Sequence, residues 1–240
     1  MPATLMEGHS ANRLLAALPS KTLALMAADL RQISIAQGEL IYEPGDPMND
    51  VYFPQTGLIS LLVVTKDGSA IEATAVGCEG AVGLHRGWGP RRSFTRAAIQ
   101  IGGKFSTIRA NRFEQFARTD EPVRSMIGCY IELCLAEAQQ IAVCNAVHDA
   151  SLRLARWLLQ CADRTRSEQL PLTQEFLAQM LNVRRTTVTL MAQELQQKGL
   201  IRYSRGKITI HNRKGLEARA CDCYPIIRHD RLPAMIGVKI

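Results

Sequence analysis

No stretch of the 240 residues approaches the roughly 18–20 consecutive apolar positions that a spanning helix needs, and the N-terminus lacks a basic segment followed by an apolar one. A soluble, cytoplasmic protein with no membrane partner is therefore expected. The chain has no Gly-x-Ser-x-Gly, no phosphate loop ending in Gly-Lys-Ser/Thr and no His-Glu-x-x-His. Its carboxylates are scattered rather than paired, so no enzyme activity and no catalytic residue is assigned. Its seven cysteines are odd in number and irregularly spaced, in a chain long enough to bury a core unaided. That excludes a disulfide framework and fits reduced thiols. With 47% hydrophobic and 21% charged residues, disorder is excluded as well.

What is present is a positive surplus, unevenly spread. Lys and Arg number 29 against 22 Asp and Glu, a formal net charge of +7. Residues 1–148 sum to −1 and residues 149–240 to +8. A near-neutral part is thus joined to a basic part suited to a polyanion.

Residues 12–30 carry apolar side chains at Leu14, Leu15, Leu18, Leu23, Leu25, Met26 and Leu30, which reads as two short helices split at Pro19-Ser20. From Ile33 to Ile108, short aliphatic runs alternate with turns such as Gln37-Gly38, Pro44-Gly45-Asp46, Thr56-Gly57 and Lys66-Asp67-Gly68. That spacing predicts an antiparallel all-β unit, a barrel or a sandwich. After Pro122 the pattern is helical. Val123, Ile127, Tyr130, Cys134, Glu137, Ile141, Cys144 and His148 follow a 4-3-4-3 spacing, which predicts the seam of a long dimerisation helix. A second stripe runs through Ile131, Leu135, Ala138 and Ala142, and the same pattern also suits a helix packed on its own β-unit.

Residues 172–198 carry the chemistry. Thr173 is an N-cap before a short helix with apolar Phe176, Leu177 and Leu181. Asn182 stands where a tight turn needs positive φ, small Ala178 lies four residues before it, and a second helix follows with Val188, Met191 and Leu195 inward. This is helix-turn-helix spacing. The start and outward face of the second helix offer Arg184, Arg185, Thr186, Thr187 and Thr189, groups that meet phosphates and base edges. A hairpin with its turn at Arg205-Gly206 follows, and Arg202, Arg205 and Lys207 make it a basic wing. Together with Thr173, these are the expected DNA-binding residues.

From about residue 14 to about 212 the chain resembles the CRP/FNR family of bacterial transcription regulators. The resemblance is carried by Glu43-Pro44-Gly45-Asp46, Val51-Tyr52-Phe53, Gly57, Asp67-Gly68 and Gly83, then by Leu172-Thr173-Gln174-Glu175 and Arg185-Thr186-Thr187-Val188. It implies an α+β chain: an N-terminal antiparallel, jelly-roll-like β-roll at 1–118, a dimerisation helix at 119–148, and a C-terminal winged helix-turn-helix at 149–240. It also implies a homodimer on palindromic double-stranded DNA, RNA polymerase as a further partner, and a small-molecule effector in the roll that is left unidentified.

Two departures from the family pattern stand out. Nucleotide-responsive members hold a cyclic phosphate and its ribose with a Gly-Glu pair and an Arg-Ser pair. Here Leu84 follows Gly83 where the glutamate is expected, and leucine cannot accept a hydrogen bond from a ribose hydroxyl. Gly83, Arg92 and Ser93 remain as effector-binding candidates, cyclic AMP is disfavoured, and Arg91, Arg92 and Arg96 suit a solvated loop equally. In the recognition helix, Thr186 and Leu190 stand where the family commonly has glutamate and a distal arginine, so the operator should differ, with Arg185 kept as the guanine reader.

Oxygen-sensing members hold an iron–sulfur cluster through N-terminal cysteines, and no cysteine precedes Cys78. Cys129, Cys134, Cys144 and Cys161 read as small buried hydrophobes. Cys221-Asp222-Cys223 supplies two metal ligands, with His211 and His229 the sequence-near additions, short of a dependable closed site. His85 reads as an exposed loop residue. No metal is assigned, and the one cofactor considered is a cyclic nucleotide, which the altered cassette disfavours. The rival reading is a ligand-binding or protein-interaction module whose winged helix contacts a protein partner.

Overall fold

The computed structural model describes residues 8–66, 68, 70–84 and 92–227. Asp67, His85, Arg86, Arg91 and His229 lie outside the described residues. The lead-in is two helices, α1 (Arg13–Ala16) and α2 (Ser20–Ala27), broken at Pro19. Asn12 caps α1, accepting from the Leu14 and Leu15 amides, and its own amide donates to the Pro54 and Gly80 carbonyls at 2.9 and 2.8 Å. One buried side chain thus anchors the lead-in to the roll.

The roll comprises β1 (Arg31–Ile35), β2 (Leu40–Tyr42), β3 (Asp50–Pro54), β4 (Leu58–Val64), β5 (Ala70–Val76), β6 (Arg96–Ile101) and β7 (Gly103–Arg109). They form two antiparallel sheets, ordered β1-β7-β3 and β2-β6-β4-β5. Inward residues of both, among them Ile59, Val76, Ile99 and Phe105, share one core. This is the two-sheet outcome that the turn spacing predicts.

Two helices, α3 (Ala110–Thr119) and α4 (Glu121–Val147), close the roll. Asp120 caps α4, accepting from the Val123 amide at 3.2 Å, with Pro122 in the first turn. A basic head follows: α5 (Ala150–Thr165), β8 (Gln169–Leu170), α6 (Gln174–Leu181), α7 (Arg185–Gln197), β9 (Ile201–Ser204), β10 (Lys207–Ile210), α8 (Arg213–Arg219) and α9 (Cys223–Ile226). Its small sheet is ordered β8-β10-β9. The head packs on the roll, since Leu58, Leu62, Ala70 and Ile101 share a core with Leu158, Leu177 and Met180. Gln179 Nε2 donates to the Ala70 carbonyl at 2.9 Å, and Gln37 Nε2 to that of Pro171 at 3.0 Å.

Two expectations about α4 need correction. Of the predicted seam, Val123, Ile127, Tyr130, Glu137 and Cys144 are buried within the chain itself. The second stripe is the open one, with Ile131 42% and Leu135 59% exposed and Ala138 and Ala142 exposed beside them. A 3.5-residue spacing marks a packed face and does not say whose surface packs on it. Further, α4 is by length and composition alone long and apolar enough to cross a membrane, with mean hydropathy 1.2 over an 18-residue window. The small side chains of alanine and cysteine, spread among Leu, Ile and Val, make this helix more apolar than a search for an unbroken run of large residues detects. It carries a buried ion pair and packs on the roll, which a lipid-facing helix would not need.

Where α5 meets the roll, Glu72 accepts from Trp157 Nε1 at 2.9 Å and from Ser60 Oγ. Burial pushes its carboxyl up, against those two hydrogen bonds. A raised folded pKa gives stability that is complete below the unfolded value and is lost as pH rises through the folded one. Glu72→Gln should therefore melt higher than the wild type at pH 8, with the gap closing toward pH 5. Thermal melts of both proteins across that range check the sign, and a gap that widens on acidification contradicts it.

Candidate functional site

Asn182 closes α6 with φ 52° and ψ 51°, the left-handed conformation expected of it. Its backbone reversal brings α7 across α6, where Leu177, Ala178 and Leu181 meet Val188, Met191 and Leu195. Thr173 caps α6, its hydroxyl oxygen accepting from the Phe176 amide at 3.2 Å. Thr189 Oγ1 lies 3.0 Å from Gln174 Oε1 and 3.1 Å from the Arg185 carbonyl, so this hydroxyl ties the two helices together. Gln174, quoted in the sequence only as part of the resemblance, is thus part of the geometry.

Arg184, Arg185 and Thr186 are exposed at the start of α7, and Thr187 is half-buried. The first turn holds no acidic residue, so the positive end of the helix dipole adds to the two guanidinium groups. Glu175 Oε2 lies 3.7 Å from Arg185 Nη1, with both side chains largely exposed, a pair that solvent screens and a stronger anion displaces. Leu190, which the sequence set where the family commonly has a distal arginine, is 67% exposed on the same helix, a solvated leucine in the middle of a polar face. In the hairpin, Arg205 at φ 49° and Gly206 at φ 74° make the two-residue turn that matches strand twist. Arg202, Arg205 and Lys207 are exposed on this wing. A methyl group added at Gly206 would meet Thr173 Cγ2 at 3.7 Å, so the wing turn abuts the start of α6.

The roll and α4 enclose a cavity of about 280 Å³. Gly83 and Ser93 line it, as does Leu84. Arg92 does not: its Nη1 donates to the Gly45 carbonyl at 2.7 Å. Gly83 has its own backbone reason, since at φ 94° a Cβ would stand 2.9 Å from the Asp50 carbonyl oxygen. Apolar Met48, Val76, Val82 and Ile131 form much of the wall. Burial pushes the Cys134 thiol on that wall up to about 12, so it stays protonated.

Two carboxylates complete the cavity, Glu79 and Glu137, and both reach Arg164 of α5. Arg164 Nε lies 3.2 Å from Glu79 Oε1, and its Nη2 donates to Glu137 Oε1 at 2.5 Å. All three side chains are almost fully buried. Burial opposes the charge on Arg164, but the Glu137 and Glu79 carboxylates outweigh it and hold the guanidinium protonated. Glu79 Oε2 is buried without a hydrogen-bond partner. The triad joins the roll, α4 and the head at one point, and it explains why a glutamate stands in the predicted seam.

The sequence assigned no metal and looked to His211 and His229 as companions for Cys221 and Cys223. The structure instead sets these cysteines against Cys144 and His148 at the end of α4. His211 is exposed at the end of β10.

A family model described as a Crp-like helix-turn-helix domain matches residues 152–219. TTHA1359, a CRP/FNR-family transcriptional regulator from Thermus thermophilus, is similar over the roll, helix and head together, with a TM-score of 0.63 and 25% identity over 79% of this chain and 98% of that one. Residues 152–219 are thus a Crp-like helix-turn-helix domain, and the chain as a whole is similar to CRP/FNR-family regulators. FixK2 from Bradyrhizobium japonicum shares the CRP/FNR fold, with a TM-score of 0.68 and 19% identity over 80% of this chain and 98% of its own. So does CLP from Xanthomonas campestris, described as a c-di-GMP responsive global regulator, with a TM-score of 0.64 and 18% identity over 80% and 99%. No curated protein sequence matches the chain. Within the matched domain, α7 is the second helix of the helix-turn-helix, and β9 and β10 form the hairpin that follows it.

Proposed function

We propose that the protein is a homodimeric transcription regulator that binds a two-fold symmetric DNA site and answers to a small molecule in the roll cavity. The observation that carries the reading is the exposed face made by Arg184, Arg185 and Thr186 on α7 and by Arg202, Arg205 and Lys207 on the wing. Arginine at the helix start suits a bidentate contact to guanine, exposed Leu190 suits a thymine methyl, and the wing suits phosphate. Two copies joined along the Ile131, Leu135, Ala138 and Ala142 stripe would set two recognition helices into successive major grooves about 34 Å apart.

The cavity favours an effector without negative charge. The Glu79–Glu137–Arg164 set leaves one net negative charge beside the wall, which disfavours a cyclic phosphate, and the unpartnered Glu79 Oε2 calls for a hydrogen-bond donor. An apolar molecule carrying an amine, amide or hydroxyl fits this wall. Because Glu79 and Glu137 both hold Arg164, a ligand that engages them changes the grip on α5 and hence on the head, by as much as its affinity differs between the two arrangements.

The experiment is a binding series on a selected DNA site. Arg185→Ala should lower affinity by about 1–3 kcal/mol and relax base choice at one position in each half-site, whereas Lys207→Ala should weaken all sequences alike. Affinity should fall steeply between about 50 and 200 mM salt as counterions are released. A salt-insensitive partner captured through the same face would favour the protein-contact reading instead.

A further inference from the structure

We propose that Cys144, His148, Cys221 and Cys223 form a closed tetrahedral site for one zinc-type divalent cation, which fastens the C-terminal segment to the end of α4. The three sulfurs and a ring nitrogen all lie within 4.8 Å of one another. Cys144 Sγ and Cys221 Sγ are 3.5 Å apart, and Cys223 Sγ stands 3.6 Å from His148 Nδ1. With bonds of about 2.3 Å to sulfur and 2.0–2.1 Å to nitrogen, the edges of a zinc tetrahedron measure about 3.5–3.8 Å. Two of the edges thus already have the length that a single ion sets, and the remaining ligand atoms lie within 4.8 Å.

The backbone delivers them without strain. Cys144 and His148 are one helical turn apart on the same face of α4. Cys221 and Cys223 flank the turn at Asp222 that leads from α8 into α9, and both sulfurs lie against the end of α4. All three cysteines are buried, at 0%, 4% and 1% exposure. Their apolar neighbours are few, Ile141, Leu152 and Ile227. A core built mostly of thiols and an imidazole makes poor use of the space for hydrophobic packing alone.

Two contacts point independently to a ligand role. His148 Nε2 lies 3.1 Å from Asp222 Oδ1, so the nitrogen facing away from the sulfurs is held by a carboxylate and Nδ1 is turned toward them. This is the carboxylate–histidine–metal arrangement that fixes a ligating tautomer. Gln140 Nε2 donates to Cys223 Sγ at 3.1 Å, a hydrogen bond that stabilises a thiolate. An iron–sulfur cluster would place the thiolates on different irons, farther apart than ligands of one ion. A disulfide needs its sulfurs at about 2.05 Å and leaves the histidine unused.

Loading needs no oxidant or reductant. The cation replaces three thiol protons, which are released to solvent, and neutral His148 contributes its Nδ1 lone pair. Three thiolates and a dication leave the site with one negative charge. His148 is the C-cap of α4 and Asp149 the N-cap of α5, so the ion sits at the joint between the long helix and the head. That loading alters DNA affinity rests on the function proposed above; that the ion binds does not.

Metal analysis of the full-length protein, purified without chelators or an affinity tag, tests the site directly. About one zinc per chain is expected, with at least a tenfold drop in Cys221→Ser and no drop in Cys129→Ser. Titration of the stripped wild type with Co²⁺ should give tetrahedral d–d bands with thiolate charge-transfer intensity. Asp222→Ala should keep the fold and weaken Co²⁺ binding by about 10–100-fold. Should the serine variant not fold, alkylation of the wild-type thiols with and without chelator keeps the question answerable: Cys144, Cys221 and Cys223 should gain reactivity together when the metal is removed. Absence of a cobalt spectrum, alkylation indifferent to chelator, stoichiometric iron with sulfide, or a Cys144–Cys221 disulfide in fresh metal-free protein would each overturn the proposal.

Discussion

Replacing Arg164 with leucine should cost about 3–5 kcal/mol of stability, because it leaves two buried carboxylates facing each other without a counter-charge. In a chain of this length that is a fall of roughly 10 °C in Tm. The loss belongs to the broken triad rather than to the removed guanidinium: adding Glu79→Gln and Glu137→Gln to Arg164→Leu should recover most of it, since an uncharged set leaves no buried ion. Denaturant unfolding of the single and triple variants measures both effects. A single-variant loss below about 1 kcal/mol would mean that water or protons already neutralise the carboxylates. The same comparison bears on signalling, because the triad links the cavity wall to the head. An effector that stabilises the wild type should lose its influence on the head in the uncharged triple variant.

Leu135→Glu should abolish dimerisation and lower affinity for a palindromic site by about 10²–10⁴-fold, the advantage that two linked half-site contacts have over one. Leu135 is 59% exposed in the single chain, so its replacement should leave monomer stability within about 0.5 kcal/mol. Ile127 makes the instructive contrast. It is completely buried against the roll, so Ile127→Asp should unfold the protein rather than separate two folded copies. Sedimentation and thermal melts of both variants distinguish the two faces of α4. A Leu135→Glu protein that stays dimeric would place the interface elsewhere.

These contrasts mark where the sequence stops being legible. The strands of the roll and the lead-in helices are local matters, set by turn residues and by Pro19, and the structure follows them closely. The helix-turn-helix is local too: the Thr173 cap, the left-handed Asn182 and the inward Val188, Met191 and Leu195 all lie within one short segment. The orientation of α4 is not local. Its 4-3-4-3 stripe records that a face is packed, and only the tertiary fold reveals that the roll and head do the packing. Glu137 in that stripe was a signal of a buried partner, but Arg164 lies 27 positions away and on another helix. The cysteine cluster was hidden in the same way, since Cys144 and His148 are one turn apart on α4 while Cys221 and Cys223 arrive from the far end of the head. Arg92 shows the opposite failure, a residue matched to a family pair by order along the chain whose side chain turns to Gly45 instead of the cavity.

Selection of bound sequences from a random pool of double-stranded DNA, at about 50 mM salt with the intact dimer, tests the central claim most directly. The account predicts enrichment of an inverted repeat whose half-sites are centred about 10 base pairs apart, with a guanine in each half that Arg185→Ala no longer selects. A pool that remains random after repeated rounds, with protein that is folded and dimeric, would contradict it.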